Sequence, residues 1–301
     1  MALGRKLLRA WAAIGRAPGW QYLWSERLAS RLAGVAPCHT ILPNGCTVVC
    51  NLRDHVEQHL YFQGTYEPVE TYLFTRLCQP GMTVIDAGAN IGVYSLLAAP
   101  LIAPGQVHSF EPVPQTCARL RANLELNPGL NVRVNQSALW SETAHLKLNA
   151  TAPGNSGTFS AALGGDGAVS APGLRLDDYI AATGVTRVDL IKMDVEGAEF
   201  RALQGMREVL SRFHPLLLME ICPENGARFG DSVNDIWNLL VGEMGYQAWL
   251  IGHMPAACRT LTNLDGLAQS NVLFHRGELP DEVRSGWDLK SVLRWARTGW
   301  T

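Results

Sequence analysis

From residue 82 the chain alternates short apolar runs with longer segments of helical periodicity, and that rhythm limits it to few folds. Thr83-Val84-Ile85-Asp86 leads through a glycine turn into a helix over Gly92–Leu101. Val107-His108-Ser109-Phe110-Glu111 precedes a helix over Pro114–Asn127, and Val132–Ser137 makes a third strand. Val188–Asp194 and Leu216–Ile221 flank a helix over Glu199–Phe213. A helix over Val233–Met244 leads to strands near Ala248–Ile251 and Asn271–His275. Strands this apolar are buried on both faces, and the helices between them serve as crossovers of a parallel sheet. The sequence predicts an α/β fold with a doubly wound, mostly parallel sheet.

Other segments surround or interrupt that rhythm. Residues 2–34 place Leu7, Leu8, Trp11 and Ala12, then Tyr22, Leu23, Leu28 and Leu32, at helical spacing, with Ala17-Pro18-Gly19 dividing two helices. His39-Thr40-Ile41-Leu42, the turn Pro43-Asn44-Gly45 and Cys46–Cys50 read as a β-hairpin. Tyr66–Leu77 reads as a helix ended by Gln79-Pro80-Gly81. Residues 142–176 hold short alternating pieces and a Gly/Ala/Ser-rich stretch from Ala150 to Pro172, with too little apolar mass for a core element. They are expected to form an inserted β-flap or loop. The implied organisation is an N-terminal helical and hairpin extension over 1–60, a main domain over 61–277 and a C-terminal helical tail over 278–301.

Composition narrows the function classes. With 301 residues, 17% of them charged, and a net charge of −2, the chain is neither a disordered polyelectrolyte nor a dedicated nucleic-acid binder, so no nucleic-acid partner is expected. The charge is uneven: residues 1–60 carry +4 and the remainder −6. A basic lead bearing Trp11, Trp20 and Trp24 suits helix packing, and equally a peripheral contact with an anionic membrane surface. Seven scattered cysteines without a C-x-x-C pair fit reduced, mostly buried thiols; Cys46 and Cys50 share a strand face but lack further metal ligands. No apolar run reaches 18 residues, and the start is a poor secretory signal. A cytoplasmic setting, with membrane-peripheral contact left open, is the expectation.

The chemistry concentrates in Val84-Ile85-Asp86-Ala87-Gly88-Ala89-Asn90-Ile91-Gly92. Gly88 lets the backbone turn and approach a ligand closely, Gly92 permits tight packing at the helix start, and the N–H groups there suit an electronegative ligand. Glu111 ends the next strand, where a carboxylate can hold both hydroxyls of a ribose. A dinucleotide site wants G-x-G-x-x-G; this run reads G-A-N-I-G, with Asp86 two residues before the first glycine. A carboxylate there repels a pyrophosphate and suits a cationic sulfonium with its amino-acid tail, which favours S-adenosylmethionine over a nicotinamide dinucleotide.

The sequence at this point resembles the FkbM-type S-adenosylmethionine-dependent methyltransferases. The likeness runs through Val84–Gly92, Phe110-Glu111-Pro112, Ala122-Asn123-Leu124 with Asn127, Asn155-Ser156-Gly157 and Leu176-Asp177-Asp178-Tyr179. Its most distinctive segment is Ile191-Lys192-Met193-Asp194-Val195-Glu196-Gly197-Ala198-Glu199. The resemblance implies a class I (Rossmann-like) methyltransferase fold with a seven-stranded sheet in the order 3-2-1-4-5-7-6. It also implies O-methylation of a sugar, glycolipid or secondary-metabolite hydroxyl. On this chain it implies that Gly88, Asn90 and Gly92 line the cofactor and Glu111 binds the ribose. Phe110 and Pro112 would flank the adenine, Ser137 or Ala138 would contact its edge, and Tyr66-Glu67 would close over the donor's amino-acid end.

The proton of the acceptor hydroxyl needs a base, or a metal that makes the hydroxyl more acidic. Asp194 and Glu220 end neighbouring strands at the edge where ligands bind in such sheets. They could hold Mg²⁺ against vicinal oxygens, or one could act alone as base; Asp194 could instead anchor the donor's amino group. Lys192 faces the same way as Asp194, two residues on. That pair also fits an RNA 2′-O-methyltransferase, which would carry a basic face around Lys192. A non-catalytic scaffold of the same fold is the remaining alternative, and a homodimer is compatible with the sequence. Glu199, in the first turn of its helix, is expected to be structural.

Overall fold

The computed structural model describes residues 37–150, 159–161, 169–252, 258–284, 291–292 and 294–295. The two expected N-terminal helices with Trp11, Trp20 and Trp24, and the Asn155-Ser156-Gly157 motif, lie outside the described residues. So does the membrane contact expected of those helices. Among the described residues no helix is long and apolar enough to cross a membrane.

The described chain opens with the expected hairpin, β1 (Cys38–Ile41) and β2 (Thr47–Cys50), paired antiparallel. Two helices follow, α1 (His55–Gln63) and α2 (Pro68–Leu77). Then come β3 (Thr83–Ala87), α3 (Val93–Leu101), β4 (Gln106–Phe110), α4 (Pro114–Glu125) and β5 (Val132–Asn135). The flap region holds β6 (Ala138–Leu139), β7 (Ala144–Ala150), β8 (Phe159–Ala161) and β9 (Val169–Leu174). The main rhythm resumes with α5 (Leu176–Thr183), β10 (Leu190–Met193), α6 (Glu199–Gln204), α7 (Arg207–Phe213) and β11 (Leu216–Ile221). Two short helices, α8 (Pro223–Ala227) and α9 (Val233–Trp237), lead into a π-helical turn over Asn238–Glu243. The chain ends in β12 (Gln247–Leu250), β13 (Arg259–Leu261), β14 (Ser270–His275) and α10 (Asp281–Arg284).

The central sheet runs β13-β12-β14-β11-β10-β3-β4-β5. Neighbours from β11 to β5 are parallel, whereas β14 pairs antiparallel with both β11 and β12. This is the class I methyltransferase sheet, with one difference from expectation: there are eight strands rather than seven. The eighth, β13, pairs antiparallel with the outer edge of β12. The alternation of strand side chains divides the core. Val84 of β3 faces a layer built from α2, α3 and the hairpin, and Ile85 faces one built from α5, α7 and the π-helical turn.

Several boundaries move for identifiable reasons. Helix α1 was not foreseen, although its signals are present: Asp54 caps its start by accepting from the Glu57 N–H, and Gly64 ends it with φ +82°. The expected division at residue 60 therefore falls inside a helix. The hairpin is no separate extension either, because Val48, Cys50 and Leu60 belong to the main core. The helix foreseen over Glu199–Phe213 breaks at Gly205, whose carbonyl accepts from the Asp177 N–H; a Cβ there would meet the Trp140 carbonyl oxygen at 1.9 Å. The flap is a four-stranded sheet, β6-β9-β7-β8, and it builds a small core of its own: Leu146, Leu148 and Ala171 pack with Trp140 and Phe229. The C-terminal tail is likewise part of the main core, with the Trp295 ring edge-on to Tyr72 at 5.6 Å.

Candidate functional site

The order of strands reverses beside β3, which pairs with β4 on one side and β10 on the other. Ligands bind such sheets in the crevice at that point, beyond the carboxyl ends of the strands. A cleft open to solvent lies there. Its floor is the turn from Gly88 to Gly92, with φ of +79° at Gly88, +49° at Asn90 and +94° at Gly92. Gly88 is required by its neighbour rather than only by a ligand: a Cβ there would lie 1.8 Å from the Asp194 carbonyl oxygen.

Glu111 sits just past β4, buried, with each carboxylate oxygen fixed by a backbone donor. The Asn90 N–H and the Val113 N–H both donate to it at 2.9 Å. Burial pushes its carboxyl up to about 7 despite those donors. Phe110, Pro112 and Ala138 line the same end of the cleft, and Trp140 and Leu148 of the flap region close over it. Two buried polar atoms here make no hydrogen bond among the described residues: Asn90 Oδ1 and Ser137 Oγ. Buried polar groups normally find partners, so these two fit a polar ligand in the cleft.

Asp194, which lines the cleft, belongs to a charged cluster behind it. Lys192 is 1% exposed in β10, 3.8 Å from Asp194 and 5.0 Å from the centre of the Tyr94 ring, and its Nζ makes no hydrogen bond among the described residues. Burial alone would lower its pKa, but the carboxylates of Asp194, Glu67, Glu220 and Asp86 hold it above its ordinary value. Glu67 accepts from the Tyr94 hydroxyl at 3.1 Å. Glu220 accepts from the Gln269 amide at 2.6 Å, and burial beside Asp194 pushes its carboxyl well up. Among the described residues no group of three or more His, Cys, Asp or Glu side chains is placed to hold a metal. The alternative of Mg²⁺ between Asp194 and Glu220 has no support; Lys192 is the cation among these carboxylates.

The cleft thus joins a fixed acid, Glu111, to Asp194 and through it to the buried Lys192. The profile of the methyltransferase FkbM domain matches residues 86–248, more than half of the chain. The chain belongs to the FkbM methyltransferase family. Among curated relatives, 31-O-demethyl-FK506 methyltransferase FkbM of Streptomyces tacrolimicus is 32% identical, covering 56% of this chain and 75% of that protein. The 2-O-methyltransferase NoeI of Sinorhizobium fredii is 27% identical, covering 48% and 65%. The chain spans 50–75% of the length of these and similar relatives. Among solved structures, the FkbM methyltransferase of Methylobacillus flagellatus aligns with a TM-score of 0.43 at 17% identity, covering 85% of this chain and 59% of that one.

Within this FkbM domain the expected site residues fall into two groups. Gly88, Asn90, Phe110, Glu111, Pro112, Ala138 and Asp194 all line the cleft. Gly92 lies beneath it, packed on Leu120 of α4, and Ser137 is buried beside Ala138. Asp86 does not line the cleft. Its carboxylate is buried in a chain of hydroxyls, accepting from Ser95 at 2.5 Å while Ser95 meets Ser109 at 2.6 Å, and burial raises it to about 6. Lys192, Glu220 and Glu67 gather around Asp194 behind the cleft. Glu199, expected to be structural, accepts from the Gly197 N–H.

Other family motifs prove architectural. Asp177 accepts from the Val209 N–H, tying α5 to α7, while the Tyr179 hydroxyl meets His108 at 2.8 Å and its ring packs edge-on to Phe110. Four site residues were missed by sequence reasoning. Leu148 belongs to the 142–176 region that looked too poor in apolar residues, and Trp140 lies just before it. Tyr94 carries no local signal in its helix. Glu196, which lines the cleft with φ +54°, sits before Gly197 in a turn that no local pattern announces.

Proposed function

We propose that the protein transfers a methyl group from S-adenosylmethionine to a hydroxyl of a sugar, a glycolipid or a secondary metabolite. The observation that carries the donor half is Glu111: a buried carboxylate held by two backbone N–H groups at the cleft edge, with lone pairs left for two vicinal hydroxyls. Phe110 and Pro112 would flank the adenine, and Ser137 with Ala138 would meet its edge. Gly88, Asn90 and Gly92 give the turn on which the rest of the donor lies. When bound, the donor supplies an electrophilic methyl on a sulfonium. The chain's part is to align it with the acceptor oxygen, since an in-line displacement gains most from fixed geometry. Asp194 and Glu220, with Lys192 between the carboxylates, border the acceptor side.

The acceptor class rests on the relatives, whose names specify a 2-O and a 31-O position. An RNA acceptor is less favoured, because Lys192 is buried and its neighbours are carboxylates rather than a basic face. Calorimetric titration with S-adenosylhomocysteine tests the donor half. Wild type should bind, and Glu111→Ala should bind at least about tenfold more weakly, as expected for losing hydrogen bonds to a charged acceptor. A wild type that does not bind ends the enzymatic reading; an unchanged variant ends the ribose assignment.

A further inference from the structure

Glu67 is held in a conformation that a non-glycine residue adopts only under strain, with φ 46° and ψ 69°. It starts α2 without making a side-chain cap, so its carboxyl is not spent on the helix. The surrounding backbone is pinned by two buried threonines. Thr71 donates its hydroxyl to the Glu67 carbonyl at 2.8 Å and lies 3.0 Å from the Thr65 hydroxyl. Strain that is over-determined in this way is typical of functional positions. What it achieves here is to aim the carboxyl at the Tyr94 hydroxyl, on the helix that the glycine turn opens, and into the field of Lys192.

We propose that Glu67 is the proton acceptor of the methyl transfer, with Tyr94 and Lys192 as its positioning residues, and that arrival of the cationic donor strips Glu67 of its own proton beforehand. The inference rests on the donor reading above. In the step itself the acceptor oxygen bonds to the methyl carbon, and the carbon–sulfur bond breaks with its electron pair going to sulfur. The hydroxyl proton passes to the Glu67 carboxylate. The positive charge on sulfur and the negative charge on Glu67 disappear together, so no unpaired charge is left buried.

The neighbouring carboxylates are worse placed for this. Asp194 is the nearest counter-ion of the buried Lys192 and does most among the carboxylates to hold it charged, so a proton on Asp194 costs more than one on Glu67. Glu220 is pushed further up than Glu67 by burial and by Asp194, so it holds its own proton more firmly at neutral pH. The charged and titratable groups facing Glu67 are Lys192 and Asp194 from β10 and the turn after it, Glu220 from β11, Glu70 from its own helix, Tyr94 from α3 and the adjacent Tyr66. Burial comes first among the effects on it and brings its carboxyl to about 7, with Lys192 and Tyr94 pulling down and Asp194 and Glu70 pushing up. At neutral pH such a group holds its proton part of the time, and one added positive charge nearby tips it to carboxylate.

Calorimetry reads this without any acceptor. S-adenosylmethionine and S-adenosylhomocysteine are titrated at pH 7 into the full chain in phosphate and in Tris, whose different ionisation heats report protons released. The charged ligand should release a measurable fraction of a proton, as a partly protonated group would, and the neutral ligand close to none. Glu67→Gln, which keeps the side chain's shape, should weaken binding of both ligands without abolishing it and should remove the difference in proton release. Tyr94→Phe, which removes a hydrogen bond to the carboxylate, should move the release to higher pH. Equal release by the two ligands, release that persists in Glu67→Gln, or release lost in Glu220→Gln instead would overturn the assignment and leave donor binding intact. If wild type binds neither ligand, the donor reading falls first and this inference with it.

Discussion

Gly88 shows how one position serves both fold and site. Its N–H and that of Ala89 donate to the Phe110 carbonyl, closing the turn across β4, while its missing Cβ lets the Asp194 carbonyl approach from β10. Gly88→Ala therefore combines a strained φ with a backbone collision at 1.8 Å, and is expected to lose about 3 kcal/mol or more of stability together with S-adenosylhomocysteine binding. Gly129→Ala is the control: φ is +88° there but nothing lies within 4 Å, so it should cost only about 1–2 kcal/mol. Urea unfolding of both variants decides; equal losses would reject the collision. At this scale the sequence disclosed Glu111 and the turn, because a carboxylate at a strand end and glycines at fixed spacing are local signals. Lys192 was legible as a residue but not as a buried one. Its counter-charges arrive from separate segments, at Glu67, Asp86, Asp194 and Glu220, and no local pattern encodes that meeting.

The elements were legible where periodicity is strong, and less so where one element borrows a bond from another. Strands β3, β4, β10 and β11 lie where their apolar runs place them, but β13 is a three-residue edge strand with exposed positions and gives no such run. The resemblance carried Asn123 and Asn127 as part of a family motif, and the structure gives them a mechanical task. Asn127 accepts from the Thr47 N–H at 2.8 Å and donates to its carbonyl at 2.7 Å, while Asn123 accepts from the Val49 N–H at 3.0 Å. Two side-chain amides, one on α4 and one just past its end, thus act as a strand edge for β2. The buried Glu57, bound by Arg119, braces α1 against the same helix. Asn123 also donates to the Ile91 carbonyl at 2.9 Å, which links the hairpin to the glycine turn. Asn123→Ala leaves the Val49 N–H and the Ile91 carbonyl unmatched and should cost roughly 1–3 kcal/mol. Faster amide exchange at Val49 and a lower urea midpoint would bear this out, and unchanged exchange at Val49 would discard the strand-edge role.

At the scale of the whole molecule, a net charge of −2 conceals how many acids are buried around the cleft. Burial raises Asp86 to about 6 and Glu67, Glu111, Glu196 and Glu199 to about 7, from ordinary values of 3.8 for Asp and 4.5 for Glu. Through that window the folded chain keeps protons that the unfolded chain has already given up. Stability must then fall as pH rises from about 4.5 to beyond 7. His108 works the other way: burial lowers it from 6.5 to about 4, so it costs stability as pH falls through that range, and His275 is lowered in the same direction. Above pH 6.5 the histidine contribution fades within about one pH unit, and the more numerous carboxyls dominate. The ligand-free protein should consequently melt at a lower temperature at pH 8 than at pH 6.5, an inversion of what surface carboxylates would give. S-adenosylmethionine, a cation arriving beside those carboxylates, should recover more of the loss at pH 8 than S-adenosylhomocysteine does. Glu111→Gln, by removing one of the titrating groups, should flatten the pH dependence. Scanning calorimetry at the two pH values measures all three, and a melting temperature that is level or higher at pH 8 would mean that these acids ionise freely in the fold and that the cleft is wetter than its packing implies.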